Sequence, residues 1–399
     1  MVRVWIDGKA AALQAACAEA AKLLGSSRFP VIAGLGTDVA GARAAVALAE
    51  RLGGAVDHMS SAALLRDIDV MRTSGTMVTT PSEARLRGDV LLLVGSGLLD
   101  AWPDLPRLLD SAASKHDLGR RTSESNHGQK QSKEAEDELS STGHSDHGRR
   151  APRRIIWLGP GRSAGHAIKG RVRIETVGAA HDLPALLAAL RARVAGRPVG
   201  KMRLPANSLD ALATTLKSAR FGVALWSAGD LDALAIEMLC GLVGDLNGAT
   251  RFSGLPLGPG DNARGVLETC GWMTGFPMRT GFGRGFPEHD PWRFDALRLI
   301  ESGEADCVLW ISAYRPAAPA WSRDVPAIVL TRHGTRFRAP PRVQFDVGCP
   351  GIDHGGVEHL AATGTLGFAS ARRASNASSV AEVLGAIASA LPERGAWPC

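Results

Sequence analysis

Apolar and polar positions follow two alternating rhythms along this chain. Short apolar runs, often β-branched, are followed by longer segments whose apolar residues recur three and four apart. That succession predicts an α/β fold built on parallel sheets. At the start, Val2, Val4 and Ile6 alternate as a strand, Asp7-Gly8 turns the chain, and an Ala-rich helix follows. "RFPVIAGLG" reads as a buried strand ending in glycines, and "DVAGARAAVALAERLGG" as a helix with Asp38 at its start and Gly53-Gly54 past its end. "GDVLLLVGSG" and "RRIIWLGPGR" repeat the strand-to-glycine turn; "LPRLLDSAA" is a helix and "RVRIETVG" a strand. A helix is predicted over "SLDALATTLKSAR" with Ser208 as its N-cap, then a strand in "FGVALWSAG" and a helix in "DLDALAIEMLCGLVGDLNG". "ADCVLWIS" and "VPAIVLT" are further strands, and "SSVAEVLGAIASAL" is a late helix.

One stretch breaks the rhythm. From Lys115 to Arg150 two leucines are almost the only apolar side chains. Such a segment buries too little surface to offset its ordering entropy, and it stands where an α/β unit needs only a short loop. The reading is a disordered polar insertion. Its histidines (His116, His127, His144, His147) include "HSDH", but a flexible tract lacks the outer hydrogen bonds that orient metal ligands.

Composition narrows the functional classes. The chain has 399 residues, 45% of them apolar, and a mean hydropathy near zero (−0.01), values of a globular protein with more than one domain. No apolar run approaches the roughly 20 residues that span a bilayer. The N-terminal segment carries Glu19 and Lys22 inside its apolar part and does not read as a signal peptide, so the cytoplasm is expected. Six scattered cysteines (17, 240, 270, 307, 349, 399) form no C-x2-C pair for zinc or an iron–sulfur cluster. The net charge of +6 is spread along the chain with a single tyrosine, unlike the basic stripe with stacking aromatics of a nucleic-acid binder.

Candidate chemistry is sparse. "GLGTDVAG" has the spacing G-x-G-x4-G, a near-miss of the dinucleotide fingerprint. Three strand-to-glycine turns (Gly34/Gly36, Gly95/Gly97, Gly159/Gly161) predict glycine-lined crevices at the strand ends, where ligands of such folds bind. "DHGGVEH" gathers Asp353, His354, Glu358 and His359 without helical metal spacing and reads as a loop. No nucleophile elbow and no phosphate-binding lysine loop occurs. The densest glycine segment, "GPGDNARGVLETCGWMTGFPMRTGFGRGFP" (258–287), has the makings of a backbone that approaches a large ligand but almost no catalytic side chains. Its Trp272, Met273, Phe276, Met278, Phe282 and Phe286 suit either an interface or the chain's own core.

In chain order these segments resemble the B subunit of formylmethanofuran dehydrogenase, a branch of the molybdopterin oxidoreductases, from about Phe29 to Arg373 apart from the polar tract. "VIAGLGTDVAGARAAVALAERLGGAVDH" resembles the approach to that family's metal site. "RGDVLLLVGSGLLDAWPDLPRLL" and "RRIIWLGPGRS" resemble strands that meet the pterin nucleotide, and "DNARGVLETCGWMTGFP" resembles an N-N-V-x-G turn. "GFPMRTGFGRGFPEHDP" is the most particular match, and "GVEHLAATGTLGFASARR" resembles a late G-x-E-x-E-G-T stretch. The resemblance implies Rossmann-like αβα domains and a crevice containing Gly34, Gly36, Gly95, Gly97, Asn262, Gly265, Glu358, Gly364 and Thr365.

The departures redirect that implication. The family opens with cluster-binding cysteines and places a Cys or selenocysteine with His-Gly-Pro just after "VDH" for tungsten or molybdenum. This chain reads "HMSSAALLRDID" there and lacks the opening cysteines. Gly97-Leu98 stands for Asn-Pro, Gly159-Pro160 for Asp-Pro, Asp261 for the first Asn and Thr363 for an acidic residue. The pattern is similar to the counterpart subunit of the formyltransferase/hydrolase complex of methylotrophic bacteria. By that resemblance the complex moves a formyl group from tetrahydromethanopterin to a methanofuran-like carrier and releases formate. Its chemistry, and an amidohydrolase metal, belong to partner subunits: one amidohydrolase-like (the A subunit) and one a formyltransferase, with the C subunit beside them. This chain is then expected to be a scaffold with no catalytic residue and no cofactor of its own, and to bind neither nucleic acid nor membrane. The alternative is an active molybdopterin-dependent formylmethanofuran dehydrogenase subunit; a free-standing nucleotide-binding module is a third reading. The domain plan expected is one Rossmann-like domain from residues 1–72 and 206–399 and an inserted one from 73–205.

Overall fold

A computed structural model describes residues 3–109, 153–160, 173–178 and 182–392. The polar tract 115–150 therefore lies outside the described residues. The chain divides into two compact units, Met1–Asp69 with Gly258–Cys399, and Val70–Leu257.

The elements are numbered in chain order. The first segment carries β1 (Val4–Ile6), β2 (Lys9–Ala10), α1 (Leu13–Ser26), β3 (Pro30–Gly36), α2 (Val39–Leu52), β4 (Ala55–His58) and α3 (Ser61–Ser74). Next come α4 (Pro81–Arg87), β5 (Val90–Val94), α5 (Leu98–Ala101), α6 (Leu105–Leu109), β6 (Arg154–Leu158), β7 (Ile174–Val177), α7 (Leu183–Val194), α8 (Ala206–Lys217), β8 (Gly222–Ser227), α9 (Ala233–Leu246) and β9 (Phe252–Leu257). The chain then returns through α10 (Ala263–Thr274), β10 (Thr280–Gly281), β11 (Glu288–His289), α11 (Ala296–Ser302), β12 (Cys307–Ser312), β13 (Ala327–Arg332), β14 (Val343–Val347), β15 (Gly356–Leu360), β16 (Thr365–Ala369) and α12 (Val380–Ala390).

In the first unit nine strands run in the order β11-β10-β4-β3-β12-β13-β14-β1-β2. The central five are parallel, and short antiparallel strands extend both edges. Alternate residues divide between two cores, as the two-residue period of a strand requires. Ile32, Leu35, Leu309, Ile311 and Leu330 pack with α1, α2 and α12 on one face. Val31, Ala33, Val308, Trp310 and Val329 pack with α11 on the other. Burial on both faces explains why these strands read as continuous apolar runs. Both caps expected for α2 form, the Asp38 side chain accepting from Gly41 N and Gly53 ending the helix at φ 68°; the structure adds a capping box of Ser379 and Glu382 on α12.

The second unit holds a wholly parallel sheet, β7-β6-β5-β8-β9. Here the structure differs from the expected plan, which returned to the first domain at residue 206. Val90 to Val94 pair with Gly222 to Trp226, and β8 pairs in turn with β9, so residues 206–257 stay in the second unit and the return falls at Gly258. Helix α8 also begins earlier than expected. Pro205, not Ser208, holds its N-cap position, because Pro sets an extended backbone just before the first turn.

Candidate functional site

In a parallel sheet, the crevice lies at the carboxyl ends of the two neighbouring strands whose connections leave in opposite directions. In the first unit those strands are β3, which continues to β4, and β12, which continues to β13. The chain is strained at this place. Gly34 and Leu35 have φ of 80° and 53°, and the β3–β12 register shifts between Trp310 and Ser312. A methyl group on Gly34 would lie 2.5 Å from the Ile311 carbonyl oxygen, so only glycine passes there.

Four segments meet around this turn: 37–38 after β3, 58–61 after β4, 261–265 at the start of α10, and 314–315 after β12, with the β15–β16 hairpin above. Asp261 and Asn262 are consecutive left-handed residues, φ 60° and 56°. Asn262 is the knot of the arrangement. Its amide nitrogen donates to Thr37 O at 2.8 Å, and its amide oxygen accepts from His359 N at 2.9 Å. Gly265 belongs to the same device, since a Cβ there would stand 2.3 Å from the Asn262 amide oxygen. Gly356 likewise lets β15 pass over the α2 cap, where a Cβ would lie 2.7 Å from Asp38 Oδ2. The segment "DHGGVEH", expected as a loop, is thus half strand: Gly356 to Leu360 pair with Thr365 to Ala369. Of its glycine pair, which reads as a loop signal, Gly356 is demanded by the distant Asp38 and Gly355 by the Phe368 ring of the same hairpin, 2.5 Å from where a Cβ would stand.

The charged groups are engaged with one another. The buried Asp261 carboxylate pairs with Arg315, and burial still pushes its carboxyl up from the usual range while the guanidinium pulls it back. His58 is buried. Its Nδ1 accepts from Ser60 N at 2.9 Å, which fixes the proton on Nε2, and Nε2 donates to Asp261 O at 3.2 Å. Burial, with Arg315 nearby, lowers its pKa to about 4, so the ring is neutral at physiological pH. His359 is likewise lowered to about 4 by burial and by Arg264. Tyr314 donates its hydroxyl to Glu358 Oε2 at 2.8 Å, and burial followed by that carboxylate raises the phenol well above its ordinary value. Arg332 donates to Tyr314 O at 2.9 Å. Cys349 is buried, and burial raises its thiol. What this arrangement does is clamp. Its polar side chains tie strand ends together, and neither His58 nitrogen is left to serve as a base.

The position after β4, where the resemblance implies a thiolate for tungsten or molybdenum, holds Met59-Ser60-Ser61. The Met59 thioether sits 3.7 Å from the Arg315 guanidinium. A neutral thioether beside a fixed cation does not fit a metal that needs soft anionic ligands. Among the described residues, no three His, Cys, Asp or Glu side chains gather as a metal site, and the described cysteines are all buried.

Of the expected crevice residues, Gly36, Asn262 and Gly265 converge here: a Cβ on Gly36 would lie 3.5 Å from Asp261 Cβ. Glu358 enters through Tyr314. Gly364, with φ 69°, and Thr365 instead build the β15–β16 turn, where Gly364 N donates to Leu360 O at 2.8 Å. Gly95 and Gly97 lie in the second unit, at the equivalent ends of β5 and β8. There Ser96 Oγ donates to Asp230 at 2.7 Å, and a Cβ on Gly97 would meet the same carboxylate at 2.4 Å. Sequence reasoning missed Tyr314 and Arg315. Their only signal was position, directly after the strand "ADCVLWIS", together with Tyr314 being the sole tyrosine.

Three known proteins place the chain. It is 32% identical over 370 residues to the B subunit of the formyltransferase/hydrolase complex Fhc of Methylorubrum extorquens, across 92% of this chain and 91% of the relative. The crystal structure of the FhcABCD complex of that organism with methylofuran contains a chain matching at a TM-score of 0.76 and 32% identity, over 96% of this chain and 97% of that one. The B subunit of tungsten-containing formylmethanofuran dehydrogenase 2 of Methanocaldococcus jannaschii is 26% identical over 315 residues, 77% of this chain and 65% of that protein. No protein-family model matches.

Proposed function

The chain belongs to the family of the formyltransferase/hydrolase complex B subunit, and from that premise we propose that it serves as a structural, non-catalytic member of such a complex. The observation that carries the reading is the donor set at the β3–β12 crevice. A thioether, two serine hydroxyls and a neutral histidine with both nitrogens engaged stand where a redox centre needs thiolates. The retained Asn262, Gly265 and Glu358 have structural work that accounts for their presence without a ligand.

The reading extends to the assembly. Formyl transfer to a methanofuran-like carrier and hydrolysis to formate take place on a formyltransferase and an amidohydrolase-like partner, with a third partner completing the complex. The process belongs to tetrahydromethanopterin-linked one-carbon metabolism in the cytoplasm. Native purification tests it, with identification of the co-purifying chains and elemental analysis. The expected result is recovery of both catalytic partners and no tungsten or molybdenum stoichiometric with this chain. Near-unit tungsten or molybdenum in the separated chain would overturn the reading and favour the dehydrogenase alternative.

A further inference from the structure

The second unit has a crevice of its own. Strand β5 continues to β6 on one side and β8 to β9 on the other, so the switch in direction falls between β5 and β8. Residues 95–98 after β5 and 228–232 after β8 line it. Nucleotide phosphates bind such a place against a glycine turn, whose missing Cβ lets them come close. By the resemblance, this turn would meet a pterin nucleotide. The residues present do not fit one.

The turn after β5 is fixed. Gly95, at φ 91°, donates its N–H to Leu158 O at 3.0 Å and accepts from Trp157 Nε1 at 2.7 Å. Segment 228–232 presses onto it. Buried Leu231 lies against Gly95, where a Cβ would come within 3.2 Å of its Cδ2 methyl. Asp230 lies against Gly97 and accepts from Ser96 Oγ at 2.7 Å. Asp232 then caps α9, accepting from Ala235 N at 2.7 Å. Leu231 and Asp232 thus anchor Asp230, whose carboxylate fills the room that Gly97 leaves. Asp230 is exposed, so an approaching anion meets it directly. No Lys, Arg or His occurs in 88–106 or 221–250 to offset it, while Asp100 and Asp104 follow the same turn. The basic residues that come after β6 in sequence, Arg162, Lys169 and Arg171, lie outside the described residues.

Resting on the reading that this chain carries no cofactor of its own, we infer that Asp230 closes the β5–β8 crevice to anionic ligands, its carboxylate standing where a nucleotide's diphosphate would meet the glycine turn. The test offers inorganic pyrophosphate, the group that nucleotides with a diphosphate link share, to the full-length chain. Wild type is compared with Asp230→Ala, Asp230→Asn and Glu237→Gln by calorimetric titration and by amide exchange at 95–99. Glu237→Gln makes the same change in net charge on the exposed flank of α9, and all four chains share the basic residues after β6. Asp230→Ala should bind at least about tenfold more tightly than wild type, the scale of removing one facing charge near a protein surface. Pyrophosphate should slow exchange at 95–99 in that variant and not in wild type. Asp230→Asn, which keeps the bulk and a partner for Ser96, should gain less, and Glu237→Gln should behave as wild type. All four should melt within about 3 °C of one another, as exposed substitutions do. Equal binding by wild type and Asp230→Ala, or no protection of 95–99 in either Asp230 variant, would overturn the inference. The scaffold reading would survive that result, since its own test is the metal content of the native chain. Protection of 95–99 in wild type that Asp230→Ala abolishes would make Asp230 part of a binding site and overturn the inference outright.

Discussion

Replacing Asn262 by alanine isolates the clamp from any chemistry. The side chain supplies one hydrogen bond to Thr37 O and one from His359 N, both partly shielded from water. A net contribution of about 1 kcal/mol for each is the usual scale. Alanine in the left-handed region, at the φ of 56° held here, costs about 1 kcal/mol more than a residue that tolerates it. The sum is about 3 kcal/mol, which for a unit of roughly 200 residues lowers the melting midpoint by about 6–12 °C. Asn262→Gly keeps the backbone unstrained and should lose only about two-thirds as much. Calorimetry on the isolated chain measures both, and amide exchange at His359 should quicken in each. An Asn262→Ala midpoint within about 2 °C of wild type would refute the clamp. A glycine variant as unstable as the alanine one would refute the assigned strain.

Two further predictions test neighbouring parts of the first unit. A Cβ on Gly281 would stand 2.1 Å from the buried Phe294 ring, so Gly281→Ala should cost stability on the scale of overpacking, about 1–3 kcal/mol, read by denaturant titration. Burial raises the Asp57 carboxyl from 3.8 to about 6, with the Ala296 N–H and Arg279 partly opposing it. The native state therefore holds this proton more tightly than the unfolded chain. Its contribution is fully present below pH 3.8 and is lost as the pH rises through about 6, a swing of roughly 3 kcal/mol. Subtracting the stability of Asp57→Asn from that of wild type across pH 4–7 should give a difference falling with pH; a flat difference would contradict the shift.

How much of this was legible depended on whether the cause was local. The strands β3, β5, β6, β8, β12 and β13 announce themselves because burial on both faces demands unbroken apolar runs. The α2 caps at Asp38 and Gly53 are equally local. The return point at Gly258 was not legible, because the sheet that β8 and β9 join is chosen by pairing with β5 and not by anything local in their own sequences. The hairpin at 356–369 was hidden for a related reason: Gly356 serves the Asp38 cap more than three hundred residues away. At the crevice, Asn262 and Gly265 were found together, but their mutual packing and the Tyr314–Glu358 pair required the structure.

The central claim is that this chain supports the reaction without taking part in it. The most direct test is turnover per assembled complex, with assembly verified by light scattering and the assay run well below the melting midpoints. Complexes carrying Asn262→Gly, Asp261→Asn or Glu358→Gln in this chain should release formate from the formyl carrier within about twofold of wild type, because no acid, base or ligand of the reaction would have been removed. A loss of tenfold or more in a fully assembled complex would place the crevice in the chemistry and contradict the account.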